Sequence, residues 1–159
     1  LGLMGLGNVG ARVAKVAQAF GMTVLAWSHH LTDDRARAVG ATRVDKGTLL
    51  AESDFVSLHL RLSDRTLGCI GRGELRGMKP TAYLINTSRG EVVDHEALAE
   101  AVKSRGIRAG LDVFGKEPPE PSEPLLGLDN VTLTSHAGYN TPEAAMTMYR
   151  RAIDLAAGG

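Results

Sequence analysis

The tightest constraint on the fold lies at the start of the chain. The apolar run Leu1-Gly2-Leu3-Met4 meets Gly5-Leu6-Gly7-Asn8-Val9-Gly10 and continues into Ala11-Arg12-Val13-Ala14-Lys15-Val16-Ala17-Gln18-Ala19-Phe20. The order reads as strand, tight turn, helix. The three glycines fit the dinucleotide fingerprint G-x-G-x-x-G: Gly5 allows the turn, Gly7 lets backbone approach a pyrophosphate, and Gly10 lets the helix pack closely on the strand. Free amides from Asn8 to Ala11, at the positive end of the helix dipole, favour a diphosphate there without any basic side chain. Val9, Val13, Val16, Ala17 and Phe20 recur at three- and four-residue spacing, which predicts one buried stripe. A glycine-rich turn of any α/β protein is the bland alternative; the apolar strand before the motif and the periodic helix after it favour a dinucleotide site.

With 159 residues the chain has the size of about one domain, enough for a proper core and too little for two sizeable lobes. Lys+Arg 18 against Asp+Glu 18 gives a formal net charge of +0, and no basic cluster exceeds Tyr149-Arg150-Arg151, so nucleic acid and membrane surfaces are not expected partners. The single Cys69 can form no internal disulfide; it reads as a small apolar filler in a protein of a reducing compartment, the cytoplasm. No run approaches the ~18 to 20 apolar residues of a membrane span. The chain opens without Met, directly in a strand, and reads as part of something longer.

Further along, Met22 to Trp27 predicts a second parallel strand. Folds selective for NAD place Asp or Glu at its end, to accept from the ribose 2′-hydroxyl; here the candidate is Ser28. Ser28-His29-His30, with Arg35 and Arg37 nearby, suits a 2′-phosphate, while Asp33 and Asp34 oppose one, so NAD or NADP remains open. Thr32 to Val39 predicts a short helix capped by Thr32 or Asp33, Ala41 to Val44 an edge strand, and Lys46 to Glu52 another helix. Asp54 to Leu60 is a fourth strand, nearly all apolar as in a sheet covered on both faces. The loop after it offers Arg61 and Ser63 as cofactor contacts, with a plain surface loop as the alternative.

A fifth strand, Ala82 to Asn86, runs straight into Thr87-Ser88-Arg89-Gly90, which places an arginine at a strand's carboxyl end, suited to a planar carboxylate. The next helix is expected to be capped by Asp94, with Ala97, Leu98, Ala101 and Val102 inward, and to end at Gly106; His95 reads as solvent-facing. Arg108 to Phe114 predicts a sixth strand. A loop stiffened by Pro118, Pro119, Pro121 and Pro124 follows, then a seventh strand, Asn130 to Thr134, delivering Ser135-His136-Ala137-Gly138. Thr141 and Pro142 open a final helix. The expected fold is therefore a Rossmann-type, doubly wound parallel sheet of about seven strands in three α/β/α layers.

Arg89, Glu117 and His136 come from three strand ends, as a site on the carboxyl edge of a parallel sheet requires. Their types suit one chemistry: hydride from a nicotinamide to a carbonyl carbon, a proton from an imidazolium to its oxygen, and a guanidinium on the neighbouring carboxylate. Glu117 beside His136 would orient the ring and favour its charged form. Each alone also reads as an ordinary surface or turn residue.

Gly5 to Gly10, Asn86-Thr87-Ser88-Arg89-Gly90, Leu111-Asp112-Val113-Phe114 with Glu117-Pro118, and His136-Ala137-Gly138 together resemble the D-2-hydroxyacid dehydrogenases over essentially the whole chain. The resemblance implies Arg89 as the substrate-binding arginine, Glu117 and His136 as the acid/base pair, and Asp112 as a contact to the nicotinamide carboxamide. It implies cofactor contacts from Gly5, Gly7, Asn8, Val9, Gly10, Ser28, Arg61, Ser63, Thr87, His136 and Gly138, a small 2-oxo or 2-hydroxy acid as substrate, no metal, and a homodimer. Ser28 replaces the usual acidic residue, Arg61 stands where proline is common, and Ser135 replaces the proline usually before the histidine. Residues 1–159 then form the dinucleotide-binding domain of a two-domain enzyme whose substrate domain lies elsewhere. A dinucleotide-sensing interaction protein, like the corepressors that resemble these enzymes, is the alternative; a formate-type dehydrogenase would carry an amide residue at position 117.

Overall fold

The structure, a computed structural model, describes residues 1–158. Seven parallel strands, β1 (Gly2–Met4), β2 (Leu25–Trp27), β3 (Thr42–Arg43), β4 (Phe55–Leu58), β5 (Tyr83–Asn86), β6 (Arg108–Leu111) and β7 (Val131–Leu133), form one sheet in the order β3-β2-β1-β4-β5-β6-β7. The order reverses at β1, which pairs with both β2 and β4, so a crevice opens at the carboxyl ends of β1 and β4. The helices are α1 (Asn8–Ala19), α2 (Asp33–Arg37), α3 (Lys46–Glu52), α4 (Arg72–Gly77), α5 (His95–Arg105) and α6 (Pro142–Ala156). β4 and β6 stop short of the ends of their apolar runs, and the residues past the last paired position, His59 and Leu60 in one and Asp112 to Phe114 in the other, build the loops above the sheet.

Period-two alternation divides the core. Leu3 packs with Ala14, Ala17, Ala26 and Ala36 on the side of α1 and α2, whereas Met4 packs with Leu49, Leu75 and Leu98 on the side of α3, α4 and α5. Helix caps follow the expected chemistry: Thr32 accepts from the Arg35 amide, Asp45 from Thr48, Asp94 from Ala97 and Thr141 from Ala144. Gly106 ends α5 in the left-handed conformation, φ 81°. Cys69 is a partly buried member of the larger core, and burial pushes its thiol up, away from the thiolate.

Two expectations are corrected. The buried stripe of α1 is Gly10, Ala14 and Ala17 with Val13 packed alongside, while Val9, Val16 and Phe20 are 61 %, 58 % and 80 % exposed. The helix lies so close to the sheet that only small side chains fit beneath it, and the larger apolar ones face away. His95 does not face solvent either: its side chain is 13 % exposed and lies against Glu123 and Phe114.

The close approach is sharpest at Gly10, where a Cβ would fall 2.2 Å from the Gly5 carbonyl oxygen, backbone against backbone. We predict that Gly10→Ala destabilises the fold by about 1 to 3 kcal/mol, the usual cost of overpacking. Urea unfolding followed by circular dichroism measures this, and an unchanged midpoint would contradict it.

Candidate active site

The glycine turn is held from three strands. Gly5 has φ 100°, its amide donates to the Trp27 carbonyl at 2.8 Å, and a Cβ on it would meet the His59 carbonyl oxygen at 2.4 Å. Gly7, the N-cap of α1, differs: its φ is −83° and a Cβ there would meet nothing within 4 Å. The space over Gly7 is thus open, and the amides of Asn8, Val9 and Gly10, unpartnered as the first turn of any helix leaves them, border it; the Ala11 amide, expected to be free as well, instead donates to the Gly7 carbonyl at 2.9 Å and closes the first helical turn. That cradle of open backbone and helix amides fits a dinucleotide pyrophosphate.

Two depressions flank the turn. One, of about 310 Å³, is shared by Gly5, Gly7, Ser28, Arg35, Arg61 and Ser63. The other, of about 440 Å³, is lined by Val9, His59, Arg61, Thr87, Ser88 and Arg89. The structure therefore groups Ser28, Arg61 and Ser63 with the glycines, and Thr87 and Arg89 with Val9. Asp33 and Asp34, which opposed a 2′-phosphate on charge, pair with Arg43 and Arg37 respectively, and Arg35 borders the depression that holds Ser28.

His59, in both depressions, carries no signal in the sequence beyond ending an apolar strand. Its Nε2 lies 3.0 Å from the Ser57 hydroxyl, and burial lowers its pKa, favouring the neutral ring. Asn86 is a second residue whose role sequence reasoning missed, although it opens the Asn86–Gly90 motif. Fully buried at the end of β5, it donates from Nδ2 to the Arg89 carbonyl at 2.8 Å and accepts the Ser88 amide at 3.0 Å and the Ser88 hydroxyl at 2.8 Å, so it shapes the Thr87–Arg89 turn. A buried amide residue at a strand's carboxyl end was the available signal.

Glu117 and His136 are in direct contact, with Oε2 2.7 Å from Nδ1, and they border a largely apolar cavity of about 680 Å³ with Phe114, Pro118, Leu133 and Ser135. The Phe114 amide donates to the other oxygen of Glu117 at 2.9 Å. The His136 contact, followed by that amide, holds the Glu117 carboxyl below its usual range, so it is ionised at neutral pH. His136 itself sits in the left-handed region, φ 54°, a conformation that a non-glycine residue keeps only when its surroundings enforce it. Asp112 supplies the enforcement: its carboxylate accepts from the Ala137 and Gly138 amides, each at 2.8 Å, and from the Thr134 hydroxyl. Burial pushes the Asp112 carboxyl up, but those three donors outweigh it and leave it lowered. Asp112 thus engages the turn that carries His136. Gly138 packs tightly here, since a Cβ on it would lie 3.0 Å from Asp112 Oδ2.

Arg89 is exposed and stands apart from that pair; its Nη1 donates to the Ser88 carbonyl at 2.6 Å, and among the described residues it forms no ion pair. Its fork remains available for a planar anion.

Known proteins resemble this chain in sequence and in fold. The sequence model described as "D-isomer specific 2-hydroxyacid dehydrogenase, NAD binding domain" matches residues 1–138. The chain is 47 % identical over 149 residues to a glyoxylate reductase of Korarchaeum cryptofilum, covering 93 % of this chain and 45 % of that protein. It is 43 % identical over 148 residues to a D-3-phosphoglycerate dehydrogenase of Archaeoglobus fulgidus, covering 92 % and 28 %. The crystal structure of D-lactate dehydrogenase with NAD+ from Lactobacillus jensenii superimposes with a TM-score of 0.86 at 34 % identity, covering 99 % of this chain and 52 % of that one. The chain spans about half or less of each of these proteins.

The open space above Gly7 separates folding from binding. We predict that Gly7→Val leaves the melting temperature within a few degrees of the parent and abolishes dinucleotide binding, because a branched side chain occupies the approach to the backbone. Calorimetric titration with NADH checks it; undiminished affinity would make the turn merely structural.

Proposed function

This chain belongs to the D-isomer specific 2-hydroxyacid dehydrogenase family, in its NAD-binding domain, and from that premise we propose that it is the cofactor-binding half of a two-domain oxidoreductase interconverting a 2-oxo acid and a D-2-hydroxy acid. The observation that carries the reading is the contact between Glu117 and His136, on the same sheet edge as the glycine turn. Because Nδ1 is engaged by Glu117, Nε2 is the nitrogen free to serve substrate. In reduction the charged ring donates a proton from Nε2 to the substrate oxygen; in oxidation the neutral ring takes it back. Ionised Glu117 stabilises the charged ring and fixes its orientation, and Arg89 holds the substrate carboxylate through its planar fork. The nicotinamide, when bound, supplies or accepts the hydride.

A dinucleotide-sensing interaction protein needs the glycine turn but no proton donor, and a formate-type enzyme would have an amide where Glu117 stands, so the intact pair favours the dehydrogenase. A small acid as partner, a homodimeric assembly and a cytoplasmic location complete the reading. Balanced charge supports the first, and the exposed apolar residues of α1 and α6 support contact with further protein surface. Among the described residues no helix is long and apolar enough to cross a membrane.

The two-domain reading predicts that this chain binds NADH or NADPH weakly and turns over no 2-oxo acid, since closure of a second domain is what excludes water and completes such a site. Robust turnover by residues 1–159 alone would overturn it.

Cofactor choice follows from Ser28. With no carboxylate to accept from a ribose 2′-hydroxyl, and with Arg35 and Arg61 beside Ser28, the site accommodates a 2′-phosphate. Discrimination is expected to be modest or to favour NADPH, and Ser28→Asp is expected to shift it toward NADH. A parent protein that already prefers NADH by several hundredfold would refute this.

The acid–base assignment is tested by pH profiles of the full-length enzyme. Glu117→Gln keeps the shape and removes the charge that stabilises the imidazolium, so the reductive profile should move to lower pH. His136→Ala removes the donor itself and should lower kcat by about 10²-fold to 10⁴-fold. An unshifted reductive profile in Glu117→Gln would withdraw Glu117 as the partner of His136.

A further inference from the structure

The carboxylate that contacts His136 rides on a loop, and a second imidazole–carboxylate pair, outside the acid–base site, holds that loop at both ends. Glu117 is fixed on one side by the Phe114 amide, so its position depends on Phe114 and on the path of the chain from Gly115 to Pro124. Phe114 is buried, and its ring meets the His95 ring edge to face, with centroids 6.0 Å apart and planes at 84°. His95 is the first residue of α5, and its Nδ1 lies 3.1 Å from Oε1 of Glu123, at the far end of the same loop. Both side chains are withdrawn from water, 13 % and 15 % exposed. One imidazole therefore touches the residue before the loop and the residue that closes it.

The surroundings of His95 suit a fixed contact. Its Nε2 is buried without a partner. With Nδ1 on Glu123, the ring is anchored through that nitrogen alone, and its edge toward Phe114 and its contact with Glu123 define one orientation. Gly90 packs against the backbone at the start of the loop: a Cβ there would fall 2.1 Å from the Phe114 carbonyl carbon and 2.3 Å from the Gly115 nitrogen. With its start wedged against Gly90 and its end tied to α5, the loop has little freedom to carry Glu117 away.

We propose that His95 and Glu123 are positioning residues for the Glu117–His136 pair. This rests on the acid–base reading given above and extends it to two residues that hydrogen-bond to neither member of the pair. Loosening the clamp lets the loop wander, so Glu117 spends less time on Nδ1 and the imidazolium loses part of its stabilisation.

The test follows the His136 imidazole resonances through a pH titration by NMR, in the parent protein and in variants. Glu117→Gln moves the His136 midpoint to lower pH and defines the full effect. His95→Ala and Glu123→Ala are expected to move it the same way by about a third of that shift or more, and His95→Gln, which keeps a donor toward Glu123, to restore most of the parent behaviour. In the Glu117→Gln background His95→Ala should add nothing, because its influence passes through Glu117. A His95→Ala protein that melts earlier yet leaves the His136 titration unmoved would make the clamp merely structural and overturn the proposal. Should His95→Ala fail to fold, Glu123→Ala, on the loop, decides by the same criterion. If Glu117→Gln itself leaves His136 unmoved, the acid–base reading falls and takes this inference with it, which distinguishes the two failures.

Discussion

The absence of a side chain at residue 10 is the constraint on which the rest of the molecule depends. Where a Cβ would sit 2.2 Å from the Gly5 oxygen, α1 can come down directly onto the end of β1, and Ala14 and Ala17 carry the same close contact along the helix. The first-turn amides are thereby delivered to the carboxyl edge of the sheet, at the point where strand order reverses. Gly5 locks the neighbouring element: its left-handed turn passes against the His59 carbonyl at the end of β4, so the two strands that border the crevice are held in one register. The anion-binding corner is therefore a product of backbone packing, and the turn from Gly5 to Gly10 carries no charged side chain of its own.

The far side of the site is built by the opposite means. His136 occupies a conformation that costs free energy, and side-chain hydrogen bonds rather than close backbone packing keep it there. Asp112, buried at the end of β6, uses both oxygens on the turn that follows His136, and Glu117 takes the ring. The two carboxylates divide the work: one holds the backbone of His136 and the other its imidazole. Both are ionised well below neutral pH because donors converge on them, which keeps the arrangement intact across the physiological range.

Much of this was legible in the residues, and the exceptions share a cause. Turn glycines, caps and strand-terminal polar groups act locally, so Gly5, Thr32, Asp94 and the seven parallel strands could be read from short windows. The adjacency of Glu117 and His136 was suggested by their strand ends, but the contact needs β6 and β7 paired in register. Helical periodicity marks α1 as amphipathic and does not say which side faces inward; the choice falls to packing distance, which here admits Gly10 and Ala14 and turns Val16 and Phe20 outward. His95 reads as solvent-facing in sequence and Asn86 as a motif residue without a role of its own, because their partners, Glu123 and the Thr87–Arg89 turn, are defined only once the loops are folded over the sheet.

Helix α6 shows what a local reading leaves unexplained. Its start is well specified, with Thr141 capping and Pro142 at the first position, and it runs to Ala156, yet none of its residues is buried. Met146, Tyr149 and Ile153 recur at helical spacing and are all more than half exposed. Isolated helices of about 12 to 15 residues are marginal in water, and most helical stability comes from packing an apolar face. Among the described residues nothing covers the apolar side of α6. The second domain invoked above would supply a surface for it, and covering α6 would also steady the turn from His136 to Tyr139, whose rings already meet edge to face at 5.8 Å just before the helix begins. On the two-domain reading proposed above, docking of the second domain and ordering of the Glu117–His136 pair would be coupled through this helix.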